Sequence, residues 1–175
     1  VARVVAADPA VTSVGAALGA AVYARRGDTL VTLFGIGIDP AAQAVYEVIE
    51  GRDLAPGDSL GLLLSPPSAA LLGARPGDTV TLVSRLDPQV AVAGTERRLV
   101  VRGTVRWLYD YRGQPSIGTL VPVLQSLAGN RAEDRVSLFV VRVMDDTLAA
   151  AATARLRAAL PTLEVNSVAD LVIRF

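Results

Sequence analysis

Ser65, the carboxylates Asp39, Glu50, Asp53 and Asp58, and the arginines Arg98, Arg102 and Arg106 are the residues on which chemistry could be built. Ser65 follows an apolar run and precedes Pro66, a place where a nucleophile can sit. A serine nucleophile needs a base to take its proton. The chain contains no His and no Lys, so both usual bases are missing. Ser65 therefore reads as a helix cap, with Pro66 at the first helical position, where its missing N–H costs nothing. The four carboxylates lie in turns beside Gly or Pro, and aromatic residues that would hold a sugar between them are scarce. An acid–base hydrolase using Asp39 or Asp53 would need two carboxylates converging in one cleft.

The remaining signals are read in the same way. Gly35-Ile36-Gly37 begins like a dinucleotide-binding fingerprint, but Pro40 stands where a third Gly is needed. Arg26-Gly27-Asp28 is the tripeptide that integrins read, but a tight hairpin turn explains it without any receptor. Asp145-Asp146 fits a helix N-terminus, with Asp146 as the cap. Arg98, Arg102 and Arg106 fall on one face of an alternating segment and read as a solvated sheet face. Trp107, Tyr109 and Tyr111 crowd the end of that segment. With Arg112 they form either a core edge or a partner surface, expected near a lobe surface with a mobile loop over 109–118. No metal or cofactor is called for: the chain has no Cys and no calcium-loop pattern.

Composition bounds these readings. A chain of 175 residues suits one domain, and 51% apolar residues support a real core. Net charge is zero, so nothing favours nucleic acid. Every basic residue is Arg, which with abundant Ala and Gly fits a GC-rich coding bias. There is no apolar run long enough to span a membrane. Val1 in place of Met is expected of a piece of a longer protein.

The elements that would position these residues follow from pattern. Residues 1–7 read as the tail of a helix, and 12–24 with 29–38 as a long β-hairpin. Ala41 to Ile49 reads as a short helix or irregular segment. Leu60 to Leu64 is a buried strand, followed by a short helix from Pro66 to Gly73 and a strand from Asp78 to Ser84. Arg98 to Leu108 alternates, with Leu99, Val101, Val105 and Trp107 on the apolar face. Asp110 to Gly118 reads as loop. Then come a helix over 121–128, a strand over 136–144 with Ser137, Phe139, Val141 and Val143 more buried, a helix over 147–160, and a last strand over 163–168. Gly27-Asp28, Gly57-Asp58 and Gly77-Asp78 each open a strand as a turn.

In this order the motifs resemble the extracytoplasmic domain of MacB/FtsX/LolC-type ABC transporter permeases. The matching elements are Gly37-Ile38-Asp39-Pro40, Gly51-Arg52-Asp53-Leu54, Ala69-Ala70-Leu71-Leu72-Gly73, Gly77-Asp78-Thr79-Val80, Val101-Arg102-Gly103-Thr104-Val105 and Leu124-Gln125-Ser126-Leu127-Ala128-Gly129. The resemblance implies an α+β fold over 1–175: a mixed α/β porter-like lobe of about 8–50 and 119–170, with an inserted β-rich sabre-like lobe of about 51–118. It implies a non-catalytic domain facing the periplasm or extracellular space at the cell membrane. Such a domain couples cytoplasmic ATP hydrolysis to movement outside, for export, lipoprotein release or partner regulation. Its partners would be a cytoplasmic ATPase reached through transmembrane helices outside this sequence, and a second permease copy or an extracytoplasmic protein. The alternative is a free-standing secreted or cell-surface domain that binds a peptide or lipid.

Overall fold

The computed structural model describes residues 1–40, 46–84, 96–108, 113–129 and 131–172. The chain divides into two compact units, Ala16–Leu138 and the combination of Val1–Gly15 with Phe139–Phe175. These boundaries do not coincide with lobe limits at 50/51 and 118/119.

The larger unit is organised by a long hairpin. Strands β1 (Val11–Arg26) and β2 (Thr29–Ile38) pair from Leu18↔Gly37 to Arg26↔Thr29. Only Gly27 and Asp28 lie between them, and Gly27 takes the positive φ of 57° that so short a connection demands. β2 then pairs in parallel with β7 (Ser116–Leu120). β7 runs antiparallel to β4 (Gly61–Leu64), and β4 parallel to β6 (Glu96–Trp107). β6 is antiparallel to β5 (Thr79–Val83), which meets β1 again at Tyr23↔Val83 and Ala24↔Leu82. The order β1-β2-β7-β4-β6-β5 therefore closes on itself. Closure satisfies backbone groups that an open sheet leaves at its edges. β3 (Tyr46–Gly51) pairs with the last part of β6, from Tyr46↔Trp107 to Gly51↔Gly103.

Leu33, Leu62, Leu63, Leu64, Leu82, Leu99, Val101, Val105 and Ile117 are among the fully buried side chains. Every residue of β4 and of β7 is buried. Such strands are covered on both faces and show no alternation. The Arg98–Leu108 pattern holds: Leu99, Val101, Val105 and Trp107 are buried, and Arg98 and Arg106 are exposed.

Helix α2 (Pro66–Leu72) follows β4 as expected. Ser65 Oγ accepts from Ser68 N–H, and Gly73 ends the helix at φ 63°. Helix α3 (Val121–Ala128) begins directly after β7, with Pro122 in its first turn and Gly129 at its end. It lies against β2. A Cβ on Gly35 would stand 2.8 Å from Leu124 Cδ1, and one on Gly37 3.1 Å from the Val121 Cα. The two glycines of Gly35-Ile36-Gly37 thus admit a helix, not a phosphate.

The smaller unit contains α1 (Ala2–Ala6), the start of β1, most of β8 (Leu138–Val143), α4 (Ala149–Ala159) and α5 (Val168–Val172). Met144 N–H donates to the Ala10 carbonyl, and Thr12 Oγ1 to that of Arg142. On α4, Ala152 and Leu156 are buried, whereas Leu148 is 37% exposed.

Several expectations are corrected. Residues 46–51 form a strand rather than a helix, because Tyr46 and Val48 find partners along β6. Residues 116–118 are not a mobile loop but the buried start of β7, held between β2 and β4. Residues 41–45 of the first segment and 109–112 of the second lie outside the described residues. Asp145 rather than Asp146 is the cap: its Oδ1 accepts from Thr147 N–H and Thr147 Oγ1, each at 2.8 Å, ahead of a 3-10 turn over Asp146–Leu148. Ser137 is exposed, where it was placed on the more buried side. Residues 163–168 are not a strand. Ser167 opens α5 instead, its Oγ accepting from Asp170 N–H while Asp170 Oδ2 accepts from Ser167 N–H. That reciprocal pair is a capping box, and it was written in the sequence.

Candidate functional site

The residues singled out for chemistry are used for structure. Ser65 is fully buried, and its Oγ accepts from Ser116 N–H at 3.0 Å as well as from Ser68 N–H. Ser68 Oγ donates to the Ser116 carbonyl at 2.7 Å. No base reaches Ser65 among the described residues, and its lone pairs are engaged by its own backbone neighbours.

The carboxylates do not converge. Asp53 Oδ1 accepts from the Tyr46 hydroxyl at 2.7 Å and from Leu54 N–H at 2.6 Å. Burial, and then that bond to Asp53, raise the Tyr46 phenol above its ordinary value. Asp58 takes Arg102 in a two-pronged pair, Nε to Oδ2 at 2.8 Å and Nη2 to Oδ1 at 3.0 Å. The Arg102 guanidinium holds the Asp58 carboxyl below its usual range, against the opposing effect of burial. Glu50 is exposed on β3, and Asp39 follows the end of β2. No group of three or more acidic, His or Cys side chains placed to hold a metal occurs among the described residues.

The arginine face is divided rather than pooled. Arg102 is committed to Asp58, and Arg106 faces Glu47 at 3.5 Å with both side chains mostly exposed. Arg97 donates to the Ser59 carbonyl at 3.2 Å. Arg102 and Arg106, already paired with carboxylates, leave little field for a phosphate.

Of the aromatic group, Trp107 belongs to the core edge. It is 6% exposed, and its ring meets Tyr46 edge-on with centroids 5.1 Å apart. Its six-membered ring crosses Gly118, where an added Cβ would come within 2.7 Å of Cη2. The Trp107 ring thus sits at the core edge, one of the two placements the sequence leaves open. Tyr109, Tyr111 and Arg112 lie outside the described residues.

The smaller unit carries a feature that sequence reading did not find: an apolar groove of about 610 Å³. Val4, Pro9, Met144, Leu148, Leu156 and Ala159 are among its walls. Val4 and Met144 are 45% and 62% exposed. Its charged members are Asp8 and Arg155, joined Nε to Oδ2 at 2.7 Å and Nη2 to Oδ1 at 2.8 Å. The Arg155 guanidinium, helped by Ala10 N–H, holds the Asp8 carboxyl down at about 2. The groove thus presents hydrocarbon and a self-neutralised ion pair. It offers no nucleophile, no proton carrier near neutrality and no metal ligand set. What it can do is hold an uncharged, apolar group. The signals available in sequence are Asp8-Pro9, which follows α1, Met144 at the end of the 136–144 strand, and Leu148, which heads the apolar stripe Leu148, Ala152, Leu156 and Leu160.

The chain is an α+β domain built on a mixed sheet. Its fold is that of extracellular and periplasmic domains of ABC-type transporters. The chain is similar to the extracellular domain of the noncanonic ABC-type transporter YknZ from Gram-positive bacteria, with a TM-score of 0.64 at 17% identity, over 94% of this chain and 84% of that one. It is similar to the periplasmic region of MacB from Actinobacillus actinomycetemcomitans, with a TM-score of 0.59 at 16% identity, over 90% and 72%. It is also similar to a domain of a protein described as a permease from Porphyromonas gingivalis, with a TM-score of 0.54 at 16% identity, over 91% and 69%. No family model and no curated protein matches the sequence. The likeness expected from the motifs is met at the level of the fold. No helix among the described residues is long and apolar enough to cross a membrane.

Proposed function

We propose that the chain is a non-catalytic extracytoplasmic domain of an ABC transporter permease. It would couple ATP hydrolysis in a cytoplasmic subunit to movement outside the membrane, through transmembrane helices that flank it in the parent protein. The observation that carries this reading is the shared fold over 94% of the chain with the extracellular domain of a transporter. The engagement of Ser65, Asp53 and Asp58 in structural bonds supports a role without catalysis. In this reading a second permease copy or an extracytoplasmic protein is the partner, met at the end of β6 around Trp107, Tyr109, Tyr111 and Arg112. The reading keeps a mixed α/β lobe and a β-rich lobe, with residues 51–118 supplying β4, β5 and β6 to the latter. The second reading, a free-standing secreted or cell-surface domain that binds an apolar peptide or lipid, draws on the groove beside Asp8 and Arg155.

One experiment separates them. The chain has no Cys, so Asp28→Cys at the hairpin tip introduces a single thiol. The parent protein, with any cysteine outside this chain replaced by Ser, is expressed in its own host and treated with a membrane-impermeant maleimide. Labelling of intact cells, with the label in the membrane fraction, is the expected result. Labelled protein in the medium would favour the second reading. Labelling only after lysis would refute both.

A further inference from the structure

The ring of the larger unit is not fastened equally all round. Among the described residues β1 and β2 share nine pairs, β2 and β7 five, β5 and β6 five, and β4 and β6 four. β4 and β7 share two, but that joint is stitched by buried bonds. Ser65 N–H donates to the Ser116 carbonyl, Ser116 N–H to Ser65 Oγ, Ser68 Oγ to the Ser116 carbonyl and Thr119 Oγ1 to the Gly61 carbonyl. β5 and β1 share two pairs, Tyr23↔Val83 and Ala24↔Leu82, with no such stitching among the described residues. Arg25 on β1 also reaches past β5 to Glu96 on β6, an ion pair whose side chains are 42% and 45% exposed. An exposed pair of this kind adds little and is screened by salt. Yet the joint seals the core, since Val22, Ala24, Leu82 and Val83 are all buried behind it.

Sub-global opening follows the least-fastened boundary of a structure. We infer that the ring opens between β1 and β5 while its other joints stay closed, so that the β1–β2 hairpin can leave β5 without unfolding β4, β6 and β7. This property belongs to the chain itself and stands or falls apart from the transporter reading.

Residue-resolved amide hydrogen exchange on the chain tests it. Amides bonded across β1–β5 are expected to exchange about tenfold or more faster than those across β1–β2 and β4–β6. Arg25→Ala should speed the β1–β5 amides further and leave the β4–β6 amides unchanged. Oxidised Tyr23→Cys/Val83→Cys should slow them to within about twofold of the other joints, and reduction should restore the difference. The inference is overturned if, in the unaltered chain, the β1–β5 amides exchange as slowly as those of β1–β2, or if all joints of the ring exchange together. The unaltered chain decides the matter even where the cysteine pair fails to close.

Discussion

Gly35→Ala tests how closely α3 lies on β2. The added Cβ would sit 2.8 Å from Leu124 Cδ1, 3.0 Å from Val22 Cγ1 and 3.1 Å from the Ala20 carbonyl oxygen. The first two atoms end side chains that are 0% and 2% exposed, so neither has an empty direction in which to move. The third is backbone in a paired strand. Overpacking costs about 1–3 kcal/mol, and three unyielding neighbours place this case in the upper half, about 2–3 kcal/mol. Replacing a strand glycine returns about 0.5–1 kcal/mol of backbone entropy. The net loss is about 1–2.5 kcal/mol, which at a urea slope of about 2 kcal/mol per molar lowers the midpoint by about 0.5–1.25 M. Trp107, the sole tryptophan and a buried one, supplies the fluorescence signal. Leu124→Ala costs about 2–5 kcal/mol by itself but removes the nearest obstacle. On that background Gly35→Ala should cost at least about 1 kcal/mol less than alone. An unchanged midpoint for the single variant, or the same drop in both backgrounds, would refute the contact between α3 and β2.

Two further outcomes are expected. Asp8 is held at about 2 against an ordinary 3.8, so protons bind the unfolded chain first. Its contribution is complete above the unfolded value and is lost as pH falls from about 4 toward 2. Urea midpoints of the wild type and Asp8→Asn should therefore differ at pH 6 and approach each other near pH 2, and a constant difference would contradict the Arg155 pairing. Ser65→Ala removes a cap and strands the buried Ser116 N–H, so thermal unfolding should show a loss of about 2 kcal/mol or more. A loss below about 0.5 kcal/mol would mean that water replaces the hydroxyl, and that the β4–β7 joint is less well stitched than described.

Much of the fold was legible where local signals and tertiary context agree. Arg98 to Leu108 alternates because one face of β6 is wet, and Ser65-Pro66 through Gly73 states both ends of α2. The hairpin was readable from the β-branched run beyond Gly27-Asp28. β7 was not: Ser116-Ile117-Gly118-Thr119-Leu120 has little periodicity, and it is a strand because β2 and β4 bind it on both sides. β3 was lost for a similar reason, since its partner β6 lies far along the chain. Alternation placed Trp107 on the apolar face correctly. Grouping it with Tyr109 and Tyr111 extended the pattern past Trp107, where β6 ends. The groove was not assembled from its separate signals, because Val4 and Pro9 meet Met144 and Leu148 only after folding.

The parallel pairing of β2 with β7 also bears on synthesis. Phe34 is paired with Ser116, so on the ribosome β2 waits for about eighty further residues before its second neighbour exists. At about 5–20 residues per second that is several seconds with an apolar strand open along one side. Leu33 and Ile38, nearly inaccessible in the finished domain, are then within reach of any other nascent strand. The hairpin can form early and shield one edge, but the other stays uncovered until β7 emerges. Translation speed between codons 39 and 120, and chaperones that hold extended apolar segments, should therefore govern the yield of this domain more strongly than its final stability does.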